Sequence, residues 1–322
     1  MTKTETNEEI GEGWRQIEQC PLCLSSQFRP HYLTRDRHYG IQGNYRLVKC
    51  RKCSLVFLNP FPTEEALSRL YPKSYYAYQG FFEKPHVLKR LIKAFFLIRV
   101  GTKDPKFSEP GRILDLGCGS GKFLYAYREK GWRTQGVEIN PDAAELGQKA
   151  AGLDIFAGTL SDASFPAEDF DYIRSNHSFE HIVDPNETLQ EINRILKPDG
   201  KVLIGVPNID GWNSKCFRRY WWYLGVPVHP FSYSVTTLSR MLRKQGFLIE
   251  KVTYNSDFSG VLGSLQIFLN RNSQRLSGEG LLFNCFPLLV LAHWTAKFLD
   301  CLKLGDSIEI VCRKGTDGTE NN

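Results

Sequence analysis

The run Asp115-Leu116-Gly117-Cys118-Gly119-Ser120-Gly121 sets three glycines at alternate positions behind an acidic residue. Such a turn bends the backbone sharply and lets a ligand reach main-chain N–H groups with no Cβ in the way. Glu138 follows about 20 residues later, the separation at which a carboxylate at a strand end takes the two hydroxyls of a ribose. A nucleoside-type ligand fits both features. A pyrophosphate would call for G-x-G-x-x-G. The spacing here is G-x-G-x-G, and Asp115 beside it suits a cation or an amine better than a diphosphate, since like charges repel.

Two further sets of residues could do chemistry. Cys20-Pro21-Leu22-Cys23 and Cys50-Arg51-Lys52-Cys53 are paired C-x-x-C knuckles. Two such pairs match a four-thiolate zinc site, filled by protein and therefore structural, whereas a single pair would leave redox chemistry open. A module this small buries little apolar area, so the metal would stabilise it. His181, directly after Glu180, and His229, near Tyr233, are candidate bases near neutral pH. Each has a plainer role as well, a hydrogen bond within its own loop. The aromatic run Tyr220-Trp221-Trp222-Tyr223 reads as a stacking platform for a sugar, a lid, or a hydrophobic plug.

The elements that must position these residues alternate as in a doubly wound sheet. A buried strand from Ile113 to Leu116 breaks into the glycine turn, and a helix runs from about Lys122 to Lys130. A second strand, Thr134 to Ile139, carries Glu138. Asn140-Pro141 opens a helix that Gly152 closes. Strands follow at 153–158 and 170–175. Asp184-Pro185-Asn186-Glu187 is a capping-box pattern opening a helix to Leu196. Strand five spans 201–206, a helix 237–245, and strand six 247–254. Residues 307–313 alternate and supply a seventh, antiparallel strand. In the N-terminal part, 45–48 and 55–58 read as short strands between and after the cysteine pairs.

Asp115 to Gly121 resembles motif I of the class I S-adenosylmethionine-dependent methyltransferases. The resemblance continues through Phe170-Asp171-Tyr172, Phe179-Glu180-His181, Leu196-Lys197-Pro198-Asp199-Gly200 and Pro207-Asn208. It implies an α/β fold, a doubly wound seven-stranded Rossmann-like sheet with a small N-terminal zinc-ribbon-like module. It implies S-adenosylmethionine as cofactor, with Gly117, Cys118, Gly119 and Gly121 along the methionine portion and Asp115 beside its ammonium. Glu138 would take the ribose hydroxyls and Ile139 would lie against the adenine. Many relatives place an aspartate after the glycine that follows strand three. Here Thr159 follows Gly158 and would accept one hydrogen bond. Asn176 follows strand four on the cofactor side, and His177 next to it faces the acceptor with Tyr233.

Cys20 to Cys53, Asn59-Pro60-Phe61-Pro62, Tyr71 and Tyr75-Tyr76 resemble the zinc-carrying N-terminal element of bacterial methyltransferases of deoxysugar, surface-polysaccharide and secondary-metabolite pathways. There the tyrosine-rich segment helps cover cofactor and acceptor, which gives Tyr75 and Tyr76 to substrate binding. The expected organisation is a disordered 1–13, a zinc and cover module at 14–80, a helical linker at 81–110, the catalytic domain at 111–255 with 305–315, and an apolar insertion at 256–304.

The 322 residues carry 42% apolar side chains and a formal net charge of +6, mildly basic and compatible with an anionic partner. Met1 to Ile10 is polar, with no apolar core of a secretory signal, so a cytoplasmic place is expected. Nine cysteines there point to thiols or metal rather than disulfides. Residues 86–100 form a basic, apolar helix candidate, and Leu281 to Ala296 holds no Lys, Arg, Asp or Glu. Both are too short to span a bilayer. They suggest a peripheral membrane contact or a homo-oligomer face.

The acceptor expected is a small molecule: a sugar, glycan or lipid-linked intermediate. An RNA acceptor held by the zinc element is the alternative, but Lys and Arg are dispersed rather than clustered with aromatics, so no nucleic acid is expected. A non-catalytic zinc-ribbon module is the third reading, and the intact Asp115–Gly121 turn argues against it. Sugar C-methyltransferases of the resembled group carry a further C-terminal domain, which counts against C-methylation here and leaves O- or N-transfer open.

Overall fold

The computed structural model describes residues 12–71, 103–273, 275–276 and 282–315. The Tyr75 and Tyr76 cover residues and the 86–100 helix lie outside the described residues, as do residues 1–11 of the segment expected to be disordered. Gly13 is fixed: its carbonyl accepts the Thr63 N–H at 2.7 Å.

The N-terminal part is built from short strands. β1 (Trp14–Arg15) pairs with β5 (Phe61–Pro62), and β2 (Phe28–Thr34), β3 (Tyr45–Cys50) and β4 (Val56–Leu58) form an antiparallel meander. α1 (Glu64–Arg69) starts where the Thr63 hydroxyl accepts the Ala66 N–H, with Glu64 and Glu65 in its first turn.

The main sheet begins with β6 (Arg112–Leu116), whose Ile113 and Leu114 are fully buried, as expected for a strand covered on both faces. α2 (Lys122–Arg128), β7 (Arg133–Glu138), α3 (Pro141–Ala151), β8 (Ile155–Ala157), β9 (Phe170–Asn176), α4 (Pro185–Ile195) and β10 (Leu196–Pro207) follow. The caps read from the sequence are in place. Asn140 Oδ1 accepts the Ala143 N–H, Asp184 Oδ1 accepts the Glu187 N–H, and Gly152 ends α3 with φ 58°. β10 starts earlier than the sequence suggests. Leu196 pairs with Phe170 and Lys201 with Tyr172, so the intervening Lys-Pro-Asp-Gly is a bulge in a continuous strand rather than a turn before it.

α5 (Trp212–Phe217), β11 (Phe231–Ser232), α6 (Val235–Lys244), β12 (Phe247–Tyr254), α7 (Phe258–Leu269), α8 (Phe286–Cys301) and β13 (Ser307–Lys314) complete the chain. The seven strands lie in the order β12-β13-β10-β9-β6-β7-β8. All neighbours are parallel except at β13, which runs antiparallel to β10 and β12. The insertion at 256–304 is the α7–α8 pair.

One strand pairing had no sequence signal. β11 leaves the main body and pairs with β4, Phe231 opposite Phe57 and Ser232 opposite Val56. One apolar core therefore runs from Leu47, Phe57 and Phe61 through Phe231 to Phe179. The cysteine module and the large sheet are joined by main-chain hydrogen bonds as well as by packing.

Candidate active site

The carboxyl ends of β6, β7 and β9 open into a cavity of about 1040 Å³, which the N-terminal module covers with His38, Tyr39, Glu64 and Tyr71. Ligands of open α/β sheets bind at this edge, where the strand order reverses around the first strand.

At the end of β6 the backbone turns through Gly117 at φ 73°. A Cβ there would lie 2.4 Å from that of Ser178, whose hydroxyl donates to the Leu116 carbonyl at 2.6 Å, so only glycine fits. Gly117, Cys118 and Gly119 line the cavity. Gly121 does not. It sits at φ 81° at the start of α2, with Leu153 2.5 Å from where its Cβ would be, and its task is to turn the chain inward. Glu138 is buried, and its two oxygens are separately engaged. Oε2 accepts the Gly119 N–H at 2.8 Å and Oε1 the Asn140 N–H at 2.9 Å. Burial raises its pKa against the pull of those N–H groups. The remaining lone pairs are available to a ligand's hydroxyls.

Asp115 faces the cavity, but not as a free carboxylate. Arg174, mid-strand on β9, donates to Asp115 Oδ1 at 3.1 Å, and its guanidinium lies 3.9 Å over the Phe123 ring. Burial raises the Asp115 pKa and Arg174 counters it. An ammonium would thus meet an ion pair rather than a lone anion. Arg174 was not singled out in the sequence. A charged residue inside the apolar run Phe-Asp-Tyr-Ile-Arg-Ser was its signal.

Ile139 is 42% exposed on the cavity wall. Thr159 also lines it, but its hydroxyl donates to Asp162 Oδ2 at 2.6 Å. The exposed Asp162 carboxylate, held below its usual range by those Thr159 hydrogen bonds, is therefore the stronger acceptor at this wall. A three-residue displacement hid it from motif alignment. Asn176 lines the cavity with its Oδ1 buried and unpartnered among the described residues.

At the other end, His177 at φ 54° turns the chain into a 3-10 turn, Phe179–His181. Glu180, His181 and His229 gather there. His177 Nδ1 lies 3.5 Å from Glu180 Oε1. His181 Nδ1 is 2.7 Å from both the Val228 carbonyl and the Tyr71 hydroxyl. His229 Nδ1 is 3.0 Å from the Tyr223 carbonyl, and the His181 and His229 rings meet edge to face at 4.5 Å. Burial depresses the His181 pKa. Burial and the neighbouring His181 push His229 down to about 3. Burial also opposes charge on His177, but Glu180, Asp257 and Glu309 outweigh it and raise its pKa. Burial would raise the Glu180 pKa, and His177, His181 and His229 reverse that.

Tyr233 is placed differently from the sequence expectation. It is fully buried, packs on Phe179 and Phe231, and does not line the cavity, because its strand neighbour Phe231 is paired to β4. The aromatic run divides. Trp221 is a core plug whose indole N–H donates to Asp306 at 3.2 Å, while Trp222 and Tyr223 form cavity wall.

The cysteine pairs converge. Cys20 and Cys53 Sγ are 3.5 Å apart, Cys23 and Cys50 Sγ 3.6 Å, and all four lie within 4.8 Å of one another. The two knuckles repeat one backbone pattern. Leu24 N–H bonds the Cys20 carbonyl at 2.9 Å and Ser54 N–H the Cys50 carbonyl at 3.0 Å, with φ of 60° at Leu24 and 67° at Ser54. Burial pushes Cys53 up to about 11. For Cys50, N–H groups of its own knuckle overcome burial and bring it to about 7. The donor set and spacing fit a tetrahedral zinc ion.

Fold and cofactor edge together are those of the class I S-adenosylmethionine-dependent methyltransferase domain. Residues 81–252, more than half of the chain, match the model of a methyltransferase domain family, and the chain belongs to that family. It is 30% identical over 109 residues to an uncharacterized protein of Methanocaldococcus jannaschii, covering 34% of this chain and 51% of that one. It is 29% identical over 116 residues to a ubiquinone/menaquinone biosynthesis C-methyltransferase of Geotalea daltonii, covering 33% and 49%. It is 27% identical over 118 residues to a ubiquinone biosynthesis O-methyltransferase of Pseudomonas entomophila, covering 34% and 51%. The chain thus spans about half the length of these curated relatives. A solved S-adenosylmethionine-dependent methyltransferase of Archaeoglobus fulgidus is 19% identical at a TM-score of 0.44, covering 70% of this chain and 93% of its own.

Proposed function

We propose that this chain methylates an oxygen or nitrogen of a small hydroxyl-bearing acceptor, a sugar, glycan or lipid-linked intermediate in the cytoplasm. One observation carries this: a single cavity joins Glu138 and the glycine turn at one end to the Glu180–His181–His229 group at the other. Relatives named for ubiquinone biosynthesis support a small-molecule acceptor, and the cysteine-rich N-terminal element supports the glycan assignment.

S-adenosylmethionine, when bound, supplies an electrophilic methyl group. The chain's own residues do the rest. Glu138 and the N–H groups of the turn fix the ribose and orient the donor, and Ile139 with Asp162 receives the base. His181 and His229 remain neutral at pH 7, face the acceptor and position it against the donor, and the acceptor's proton passes to solvent as the new bond forms. Trp222, Tyr223 and Tyr71 close the wall and exclude water. By the resemblance of the N-terminal element, Tyr75 and Tyr76, outside the described residues, would take part in substrate binding. Cys20, Cys23, Cys50 and Cys53 would hold a structural zinc and have no part in the transfer.

The test is mass analysis of surface glycans and lipid-linked intermediates from cells with and without this chain. A methyl group missing from one sugar residue in the deletion supports the reading. An unchanged glycan with a methyl group missing from an RNA nucleoside refutes it.

We also propose a peripheral contact with an anionic membrane surface through α8, with self-association through the same face as the competing outcome.

A further inference from the structure

We propose that Glu180, His181 and His229 form a binding site for a divalent transition-metal cation at the acceptor end of the cavity, separate from the four-cysteine site. One ligand atom from each of the three lies within 4.8 Å of the other two, and all three side chains line the cavity.

The hydrogen bonds behind them are those of metal ligands. A carbonyl can only accept, so His181 donates Nδ1–H to the Val228 carbonyl at 2.7 Å and His229 donates Nδ1–H to the Tyr223 carbonyl at 3.0 Å. The Tyr71 hydroxyl, also 2.7 Å from His181 Nδ1, then accepts from the same N–H, and in these tautomers each Nε2 keeps its lone pair. Two edge-to-face imidazoles whose Nε2 lone pairs have no partner among the described residues are a natural chelating pair.

Glu180 supplies the second, independent observation. It is 2% exposed. Oε1 sits 3.5 Å from His177 Nδ1, while Oε2 is buried with no partner among the described residues. A buried carboxylate oxygen left unpaired is expensive. A cation bridging it to the two imidazoles satisfies it.

The ligand set also selects the ion. Two imidazoles and one carboxylate suit zinc, iron, cobalt or manganese better than magnesium or calcium, which prefer oxygen alone. Three protein ligands leave coordination positions open, unlike the closed four-cysteine site. An acceptor hydroxyl bound there would lose its proton to solvent more readily, because the cation lowers its pKa. The acceptor class then narrows to hydroxyls, giving O-methylation. That last step rests on the methyltransferase reading; the cation site does not.

Cobalt(II) alone is the probe, added to the full chain after one equivalent of zinc has been offered to the four-cysteine site. The four-cysteine site gives intense thiolate-to-cobalt absorption if it exchanges. A nitrogen–oxygen site gives only weak visible bands, so the two are told apart. Wild type is expected to bind one equivalent with the weak spectrum. Glu180→Gln and His229→Gln are expected to weaken that binding by more than about tenfold. S-adenosylmethionine binding by calorimetry should survive in both variants, which reports that they fold. The proposal is overturned if wild type takes up no nitrogen–oxygen-bound cobalt, or if both variants bind it as tightly as wild type. Loss of S-adenosylmethionine binding in wild type would instead sink the methyltransferase reading and leave the cation result standing.

Discussion

Glu138 and His229 carry opposite kinds of electrostatic work, and each has its own test. Glu138 offers lone pairs that two backbone N–H groups have already oriented. If Glu138 takes the ribose hydroxyls as proposed, replacing it with alanine removes those charge-assisted hydrogen bonds, and S-adenosylmethionine binding should weaken by about 2 kcal/mol. Equal calorimetric affinity in wild type and Glu138→Ala would take this residue out of the site. His229 is held neutral, down to about 3, by burial and by His181. Its folded pKa lies below the unfolded value near 6.5, so between these limits the unfolded chain binds the extra proton. Its contribution to stability is complete above about pH 6.5 and falls as pH drops towards 3. His181, also depressed by burial, acts in the same direction. His177, raised by its carboxylate neighbours, acts in the opposite one, losing stability as pH rises through its folded value. Denaturation midpoints between pH 7 and 4 should therefore decline less steeply in His229→Gln than in wild type. A parallel decline would show that His229 titrates normally. The sequence made Glu138 legible because turn, helix and strand lengths fix where that carboxylate falls. It hid Arg174, Asp162 and the burial of Tyr233, since these depend on which strands become neighbours.

At the scale of elements, local rules sufficed wherever a helix or strand carried its own start and stop signals. Asn140-Pro141 with Gly152, Asp184-Pro185, and the strand at 247–254 are all realised. They failed where pairing is long-range. β11 is two residues long and has no strand signature. It exists because Phe231 and Ser232 meet β4 across the sheet edge. That pairing gives the cysteine module a consequence beyond itself. Cys50 is the last residue of β3, which pairs with both β2 and β4, and β4 in turn holds β11. Cys50→Ser leaves three thiolates and opens a bound ion to water and chelator. We expect one zinc per wild-type chain by elemental analysis, and its loss in the variant together with a lower melting temperature for the main body. A metal-free wild type purified without chelator would end the zinc assignment. A variant that lost zinc but melted like wild type would show that β11 does not couple the two parts.

For the whole molecule, the open question is what covers α8. Among the described residues, no helix is long and apolar enough to cross a membrane. α8 buries Ala292, His293, Ala296 and Leu299 but leaves Leu291, Trp294, Phe298 and Leu302 roughly half or more exposed. Their spacing of three and four residues puts them on one stripe. The helix that carries most of the uncharged 281–296 segment runs on to Cys301, and its start at Phe286 follows from Pro287 in the first turn. Lys297, which follows the uncharged segment, is turned inward to Asp300 and Asn255. Lys303, just past the end of α8, is exposed, as are Arg271 and Arg275 in the segment after α7. An apolar stripe with such neighbours matches the headgroup boundary of an anionic membrane, where each cation adds about 1 kcal/mol. That would bring the cavity beside a lipid-linked acceptor. A second copy of the chain could cover the same residues without lipid. In flotation with anionic liposomes at low salt, wild type should rise with the vesicles, and Trp294→Glu with Phe298→Glu should stay below. Wild type left at the bottom of the gradient, with a dimer by light scattering that the double variant abolishes, would assign the stripe to self-association and remove the membrane from the proposal.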